Sequence, residues 1–145
     1  MLQKNLNGKM ILLENSVLRL DYTPATDVAI AVYPDLHDYL FPEIKYSIDR
    51  MVKIIRNYDI KNLLLDSTKT TSSVDNNLSM EIATYLVVGL SKTRIKKVAN
   101  VQALHLNEDT TLEGNIRHVN QITTLPFDLL IFKSKGPAIE WLESK

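Results

Sequence analysis

At 145 residues and 45% hydrophobic content, the chain is long enough for one ordinary domain and has enough apolar residues for one core. Its 17 basic and 17 acidic residues cancel, so the overall charge does not attract the protein to nucleic acid or to an anionic membrane. The absence of cysteine excludes disulfides, thiolate nucleophiles and cysteine metal sites, and it favours a reducing compartment, so we expect a cytoplasmic protein.

The apolar run at residues 10–13 is too short for the core of a signal peptide. No apolar stretch approaches the roughly 20 residues that a membrane span needs, so we expect no transmembrane segment.

Two apolar runs near the start of the chain predict an antiparallel hairpin. Residues 17–20 form the first run, residues 28–32 form the second, and residues 23–27 between them are rich in turn formers. In the second run every other residue is alanine between valine or isoleucine, which predicts a strand with apolar material on both faces. Residues 1–13 fit either a flexible N-terminal segment or an extra strand.

Helices and strands alternate along the rest of the chain. Apolar residues such as Ile44, Ile48 and Met51 recur at helical spacing, and Thr110 opens a capping-box pattern. The predicted elements are a helix at 42–57, a strand at 62–66, a helix at 76–91, a strand at 98–104, a helix at about 110–119, a strand at 127–133 and a short helix from Gly136.

This order predicts a single α/β domain over residues 1–145. We expect a single-layer mixed sheet of five strands, opened by the antiparallel hairpin, with four helices packed on it. The later strands should be parallel because helical crossovers connect them.

The segment that follows the third predicted strand is the strongest functional signal. The strand ends at Asp66, a loop rich in Ser and Thr follows, and Asp75 is a suitable N-cap for the next helix. Open α/β sheets usually bind their ligands at the carboxyl edge of the strands, where this loop should lie. The predicted binding surface consists of Asp66, Ser67, Thr68, Ser72, Ser73, Asp75, Asn76 and Asn77.

The order of elements, the strand and loop at residues 63–77 and the ending at residues 132–142 resemble bacterial STAS-like proteins, relatives of the anti-sigma-factor antagonists. The resemblance covers residues 17–142 and implies a regulatory fold that binds proteins or small ligands. In the antagonists, a partner kinase phosphorylates a serine at the start of the helix after this strand. Asn76 and Asn77 stand near that place here, so the chain resembles a divergent member without the usual phosphorylated serine.

The loop hydroxyls allow two interpretations. They lie beside a helix N-terminus, which favours an anion, and a phosphoryl group on Ser72 or Ser73 would create a displaced version of the switch. The simpler interpretation, which we favour, is that these residues cap the helix and turn the chain.

Catalytic and metal sites are not expected. His37 lies between Asp35 and Asp38, but residues adjacent on a turn rarely converge on one ion, and His105 and His118 fall on other predicted elements. The sequence contains no nucleophile elbow and no glycine-rich phosphate loop. We therefore expect no catalytic residues, no metal, no cofactor and no enzymatic activity.

The run of Lys92, Arg94, Lys96 and Lys97 is a local basic patch that could meet an acidic partner or phospholipid head groups. We favour the interpretation that these are cations near a helix C-terminus. Aromatic residues do not interleave with it, so we expect no nucleic-acid partner. Tyr46 and Tyr85 fall off the apolar stripes of their helices. We favour ordinary surface positions for them, with a homodimer contact or a pocket lining as the alternatives.

These patterns predict a non-catalytic regulatory or protein-interaction domain that uses the loop after the third strand and the start of the second long helix. Its protein partner is not identified by the sequence. The alternative is a small-molecule or lipid-binding module with an apolar pocket between helices and sheet. A hydrolase that uses Asp66 or Asp75 ranks last, because the two carboxylates are more simply explained as a strand end and a helix cap.

Overall fold

The computed structural model describes residues 3–4, 8–70, 76–102 and 125–144, with only the backbone of residues 3–4 and of Asn76. A 3-10 turn at Asp38–Leu40 precedes the first α-helix. The elements, in chain order, are β1 (Gln3–Lys4), β2 (Met10–Glu14), β3 (Arg19–Thr23), β4 (Val28–Val32), α1 (Phe41–Asn57), β5 (Asn62–Asp66), α2 (Asn76–Leu90), β6 (Lys97–Val101), β7 (Asp128–Phe132) and α3 (Lys135–Glu143).

One mixed sheet contains all of these strands, and their order in the sheet follows their order in the chain. Strands β1 to β4 pair antiparallel, and strands β4 to β7 pair parallel. The predicted antiparallel hairpin is confirmed as β3 and β4, and the parallel pairing of the later strands is confirmed as well. The sheet therefore changes direction at β4, where Ala31 pairs with Leu20 on one side and with Leu65 on the other.

The predicted count of five strands and four helices is wrong. The sheet has six strands of five residues and the two-residue β1, and the described residues contain three α-helices. The helix predicted at about 110–119 lies outside the described residues. Of the two possibilities for residues 1–13, the extra strand is the one observed, as β2 at Met10–Glu14 together with the short β1.

The turn between β2 and β3 contains a residue pattern that indicates a hairpin. The Asn15 side-chain oxygen accepts hydrogen bonds from the N–H groups of Val17 at 2.8 Å and Leu18 at 2.9 Å. Asparagine favours such a turn because its side chain can satisfy backbone donors two or three residues ahead. An Asn-Ser pair between two apolar runs therefore indicates a hairpin.

Helix α1 matches its prediction of residues 42–57 to within one residue. Its buried residues include Ile44, Ile48, Met51 and Ile55, which fall on one face at intervals of three or four. Pro42 lies in the first turn, where its missing N–H costs no helical hydrogen bond.

Helices α1 and α2 cover one face of the sheet. Ile48 and Leu86, from the two helices, belong to the same buried cluster as Leu63, Leu65 and Val98 from β5 and β6. Successive crossovers run one way along the sheet, and crossovers of one hand then place both helices on the same side.

Helix α3 packs on the opposite face. Its Ala138 and Leu142 are buried against Leu64, Ala99 and Val101, which point away from α1 and α2. The sheet is therefore covered on both sides, and the expectation of a strand with two apolar faces is confirmed for β4. Among the described residues, no helix has the length and apolar character that crossing a bilayer requires.

Candidate functional site at the carboxyl edge of the sheet

The carboxyl ends of β4, β5 and β6 lie at one edge of the sheet, where the loop after β5 begins. Tyr33 donates its N–H to the carbonyl of Asp66 at 2.8 Å, and Ser67 donates its N–H to the carbonyl of Val101 at 2.8 Å. These bonds continue the ladders past the strand ends and fix the start of the loop. The structure describes the predicted site side chains of Asp66, Ser67, Thr68 and Asn77, whereas Ser72, Ser73, Asp75 and the side chain of Asn76 lie outside the described residues.

Asp66 lies on the α3 side of the sheet. One carboxylate oxygen accepts hydrogen bonds from the Thr68 N–H at 3.0 Å and the Thr68 hydroxyl at 2.6 Å, and the other lies 3.0 Å from the Lys135 ammonium. Burial by itself would raise the pKa of Asp66, but the bonds from Thr68 and the Lys135 charge outweigh it and lower the pKa. Asp66 therefore anchors the loop to the start of α3.

Ser67 points to the opposite face, towards the α1 and α2 layer. It is buried, and its hydroxyl donates to the side-chain oxygen of Asn100 on β6 at 3.0 Å. Asn100 is fully buried, and its side-chain nitrogen has no hydrogen-bond partner among the described residues. The neighbours Asp66 and Ser67 are thus not parts of one cluster, because successive residues at a strand end point to opposite faces.

The described part of the loop, residues 67–70, forms a turn in which Lys69 is exposed. Thr70 is buried, donates its N–H to the carbonyl of Ser67 at 3.2 Å and donates its hydroxyl to the carbonyl of Tyr33 at 3.2 Å. Thr68 is half-buried, whereas Lys69 and Asn77 are exposed. Ser67 and Thr70 therefore hold residues 67–70 in place, and Lys69 is the exposed residue of that segment.

The described residues at this edge do not favour metal binding or acid–base catalysis. Within residues 8–70, 76–102 and 125–144, no three His, Asp or Glu side chains converge on a position for a metal ion. His105 and His118 lie outside these ranges. A hydrolase that used Asp66 as a base would first have to break its contacts with Thr68 or Lys135.

An open cleft of about 410 Å³ lies at the same edge, beside Lys69. Its lining consists of residues 15–18 of the β2–β3 turn, residues 32–35 at the end of β4 and beyond it, and His37, Tyr39 and Leu40. The cleft combines segments from three places in the chain because β3, β4 and β5 are neighbours in the sheet.

The cleft walls are partly aromatic and partly charged. The rings of His37 and Tyr39 stack almost parallel, with centroids 5.6 Å apart and planes 2° from each other, and Tyr39 is 74% exposed. The Arg19 guanidinium is already paired, lying 3.0 Å from a Glu14 oxygen and 2.9 Å from an Asp21 oxygen. Burial raises the pKa of Tyr33, so this phenol stays neutral at physiological pH.

The sequence patterns did not identify the cleft. Arg19, Val32, His37 and Tyr39 are distant from the loop after β5 in the sequence, and no shared motif links them to it. A usable signal existed, since the polar segment after β4 must lie at the same edge as the loop after β5 when the two strands are parallel.

Comparison of the chain with family models, with curated proteins and with solved structures found no match. The resemblance to STAS-like proteins therefore stays a prediction, and the geometry of the carboxyl edge is the basis for proposing a function.

Proposed function

We propose that this protein is a non-catalytic regulatory domain that binds another protein through the carboxyl edge of its sheet. The contact surface would comprise Thr68 and Lys69 of the loop after β5, Asn77 at the start of α2, and the cleft rim at Val32 and Tyr39. The cysteine-free composition favours the cytoplasm as its compartment.

The observation that carries the proposal is the group of exposed side chains around the cleft. Val32 is 39% exposed and Tyr39 is 74% exposed, although both lie beside the centre of the sheet, and exposed Lys69 lies on the same cleft. Aromatic and apolar side chains rimmed by polar ones are characteristic of protein-binding surfaces. Residues 67–70 of the loop are held by the buried hydrogen bonds of Ser67 and Thr70, so binding at Lys69 requires little ordering of this segment.

Site-specific photo-crosslinking in the native host tests this proposal. A photoreactive amino acid at position 39 should capture one predominant protein, which mass spectrometry then identifies. Position 58 is the matched control, because Tyr58 is also an exposed tyrosine, at 38%, but follows α1 at the opposite edge of the sheet.

Direct binding to the captured protein completes the test. We expect Lys69→Glu and Tyr39→Ser to weaken binding, measured by calorimetry with both proteins purified, and Tyr58→Ser to leave it unchanged. Equal capture at positions 39 and 58, or full affinity in both cleft variants, would refute the proposal.

A small-molecule-binding module is the second candidate, and the cleft is the observation that favours it. Its volume of about 410 Å³ lies in the range of about 300–1,000 Å³ that is usual for ligand sites. The location differs from the expected one, because the described side chains between the helices and the sheet, such as Ile48, Leu65 and Leu86, are packed together as core.

A further inference from the structure

We propose that the cleft binds a small aromatic carboxylate, with the ring on Tyr39 and the carboxylate at the Lys69 ammonium. This inference rests on the second candidate function and specifies its ligand. Three features of the cleft support it: walls held by hydrogen bonds, an exposed aromatic face, and a lysine that forms no ion pair with the described carboxylates.

The cleft walls are held by hydrogen bonds that do not depend on a ligand. The Asn15 amide donates to the Ser47 hydroxyl of α1 at 3.1 Å, which ties the β2–β3 turn to the helix. Leu40 donates its N–H to the carbonyl of His37 at 3.0 Å, and Thr70 bonds the carbonyl of Tyr33 beneath Lys69. A cavity whose walls are already ordered loses little free energy when a ligand enters.

The aromatic wall offers a flat surface. Because the Tyr39 ring stacks on His37, its conformation is restrained while 74% of the residue stays exposed. Val32, which also lines the cleft, is 39% exposed and gives a second apolar contact. A planar ring can stack on or pack edge-on against Tyr39, which is the usual geometry of aromatic pairs.

Among the lining charges, Lys69 is the group that can bind an anion. Arg19 already pairs with Glu14 and Asp21, and Asp35 and His37 also have interaction partners. Lys69 is exposed, and no described carboxylate lies within ion-pair distance of its ammonium. A carboxylate on the ligand would therefore pair with Lys69, a lining cation for which the described residues provide no ion pair.

The test uses fluorine NMR on the purified full chain with matched probes. The acids are para-fluorobenzoate, para-fluorophenylacetate and a fluorinated indole acetate, and each is compared with its neutral amide and with fluoroacetate, which has no ring. We expect saturable binding of at least one aromatic acid in the micromolar to millimolar range, with its amide and fluoroacetate each roughly fivefold or more weaker, as one partly exposed ion pair or one ring contact would give.

The variants separate charge from stacking. Lys69→Met should weaken binding of the acid roughly fivefold and leave binding of the amide unchanged, whereas Tyr39→Ser should weaken binding of both. Lys53→Met, which removes an exposed lysine of α1, is the control and should change neither.

No saturable binding by any aromatic acid, equal binding of acid and amide, or an unchanged affinity in Lys69→Met would overturn the inference. The protein-binding function is tested separately by capture at position 39 in the host. A negative NMR result with intact capture would therefore reject the ligand and keep the protein partner.

Discussion

The backbone φ angles of Asp27 and Asp59 are positive, at 55° and 54°, and residues other than glycine seldom adopt such values. Asp59 ends α1: its N–H bonds the carbonyl of Arg56 at 3.3 Å, and the next residue, Ile60, bonds the carbonyl of Ile55 at 3.1 Å. This pair of bonds is a Schellman motif, in which glycine is the usual residue. Ile60 is fully buried beyond it, so the motif also directs the chain into β5.

We expect Asp59→Gly to be more stable than Asp59→Ala by about 1 kcal/mol. Both variants lose the carboxylate contacts with Lys61 and Arg94, so their difference reports the backbone conformation alone. Urea denaturation measures this difference in the free energy of unfolding. At Lys53, an exposed position inside α1, the order should reverse, with alanine more stable than glycine by about 1 kcal/mol. Equal stability of the two Asp59 variants would contradict the strain argument.

The lowered pKa of Asp66 predicts a pH-dependent contribution to stability. The folded protein holds this proton less tightly than the unfolded chain, whose ordinary value is 3.8. The contribution is therefore complete above about pH 5 and is lost as the pH falls through 3.8 towards the folded pKa. The free energy of unfolding of the wild type should exceed that of Asp66→Asn at neutral pH, and the difference should shrink in acid.

A double-mutant cycle identifies the partner in this effect. Asp66→Asn and Lys135→Met should be less than additive at neutral pH, because the two side chains contact each other at 3.0 Å. The coupling should be small, since Lys135 is 52% exposed and water screens the pair. A difference between wild type and Asp66→Asn that does not change with pH would argue against the assigned contacts.

At the scale of elements, α1 and α2 lie in close contact at Gly89. A Cβ added there would lie 2.8 Å from the Cγ2 atom of Val52 on the facing helix. Real side chains avoid such a distance, so glycine is required by the packing of the two helices and not by a turn.

We therefore expect Gly89→Ala to destabilise the protein by about 1 kcal/mol, since the overpacking of about 1–3 kcal/mol exceeds the gain in helix propensity of about 1 kcal/mol. In a Val52→Ala background the clash is removed and only the propensity remains, so the same substitution should stabilise the protein. Thermal unfolding of the four proteins measures both signs. Destabilisation of equal size in the two backgrounds would show that Val52 does not set the helix distance.

A lysine of the basic run after α2 contacts the end of a different helix, α3. The Lys97 ammonium lies 3.0 Å from the carbonyl of Trp141 and 2.6 Å from that of Ser144, at the end of α3. Arg94 instead lies 3.7 Å from Asp59. The sequence pattern predicts cations that interact with the end of α2. Lys97 instead hydrogen-bonds carbonyls at the end of α3, because β6 places it beneath that helix.

At the scale of the whole molecule, one sheet separates two buried clusters. Ile48 belongs to the cluster under α1 and α2, and Leu142 belongs to the cluster under α3. The two clusters share the backbone of β4, β5 and β6, whose residues alternate between them. A single cooperative unit is the expected consequence for a domain of this size.

We expect Ile48→Ala and Leu142→Ala each to reduce the free energy of unfolding by about 2–5 kcal/mol. The single tryptophan, Trp141, lies in α3 and reports by fluorescence on the second cluster, whereas circular dichroism reports on all elements. Both signals should shift together in both variants. If Ile48→Ala moved the circular dichroism transition but not that of Trp141, the two faces would unfold independently.

Local patterns in the sequence determined much of the fold. The bounds of α1, the span of β5 and the antiparallel hairpin followed from apolar periodicity and turn residues, because these depend on neighbours within a few positions. The strand β2 was missed as a definite element because its short apolar run lacks alternation, although Asn15 marked its turn. The position of the loop after β5 also followed from the sequence, since any strand in a parallel sheet delivers its loop to the carboxyl edge.

Only the tertiary structure decided what that edge presents. Asp66 and Ser67 are adjacent in sequence, yet Asp66 forms an ion pair with Lys135 of α3 and Ser67 hydrogen-bonds Asn100 of β6. Tyr39 and Lys69 are thirty positions apart and line one cleft. Such contacts depend on which strands are neighbours and on which face each helix packs, and these are properties of the whole sheet that no local pattern encodes.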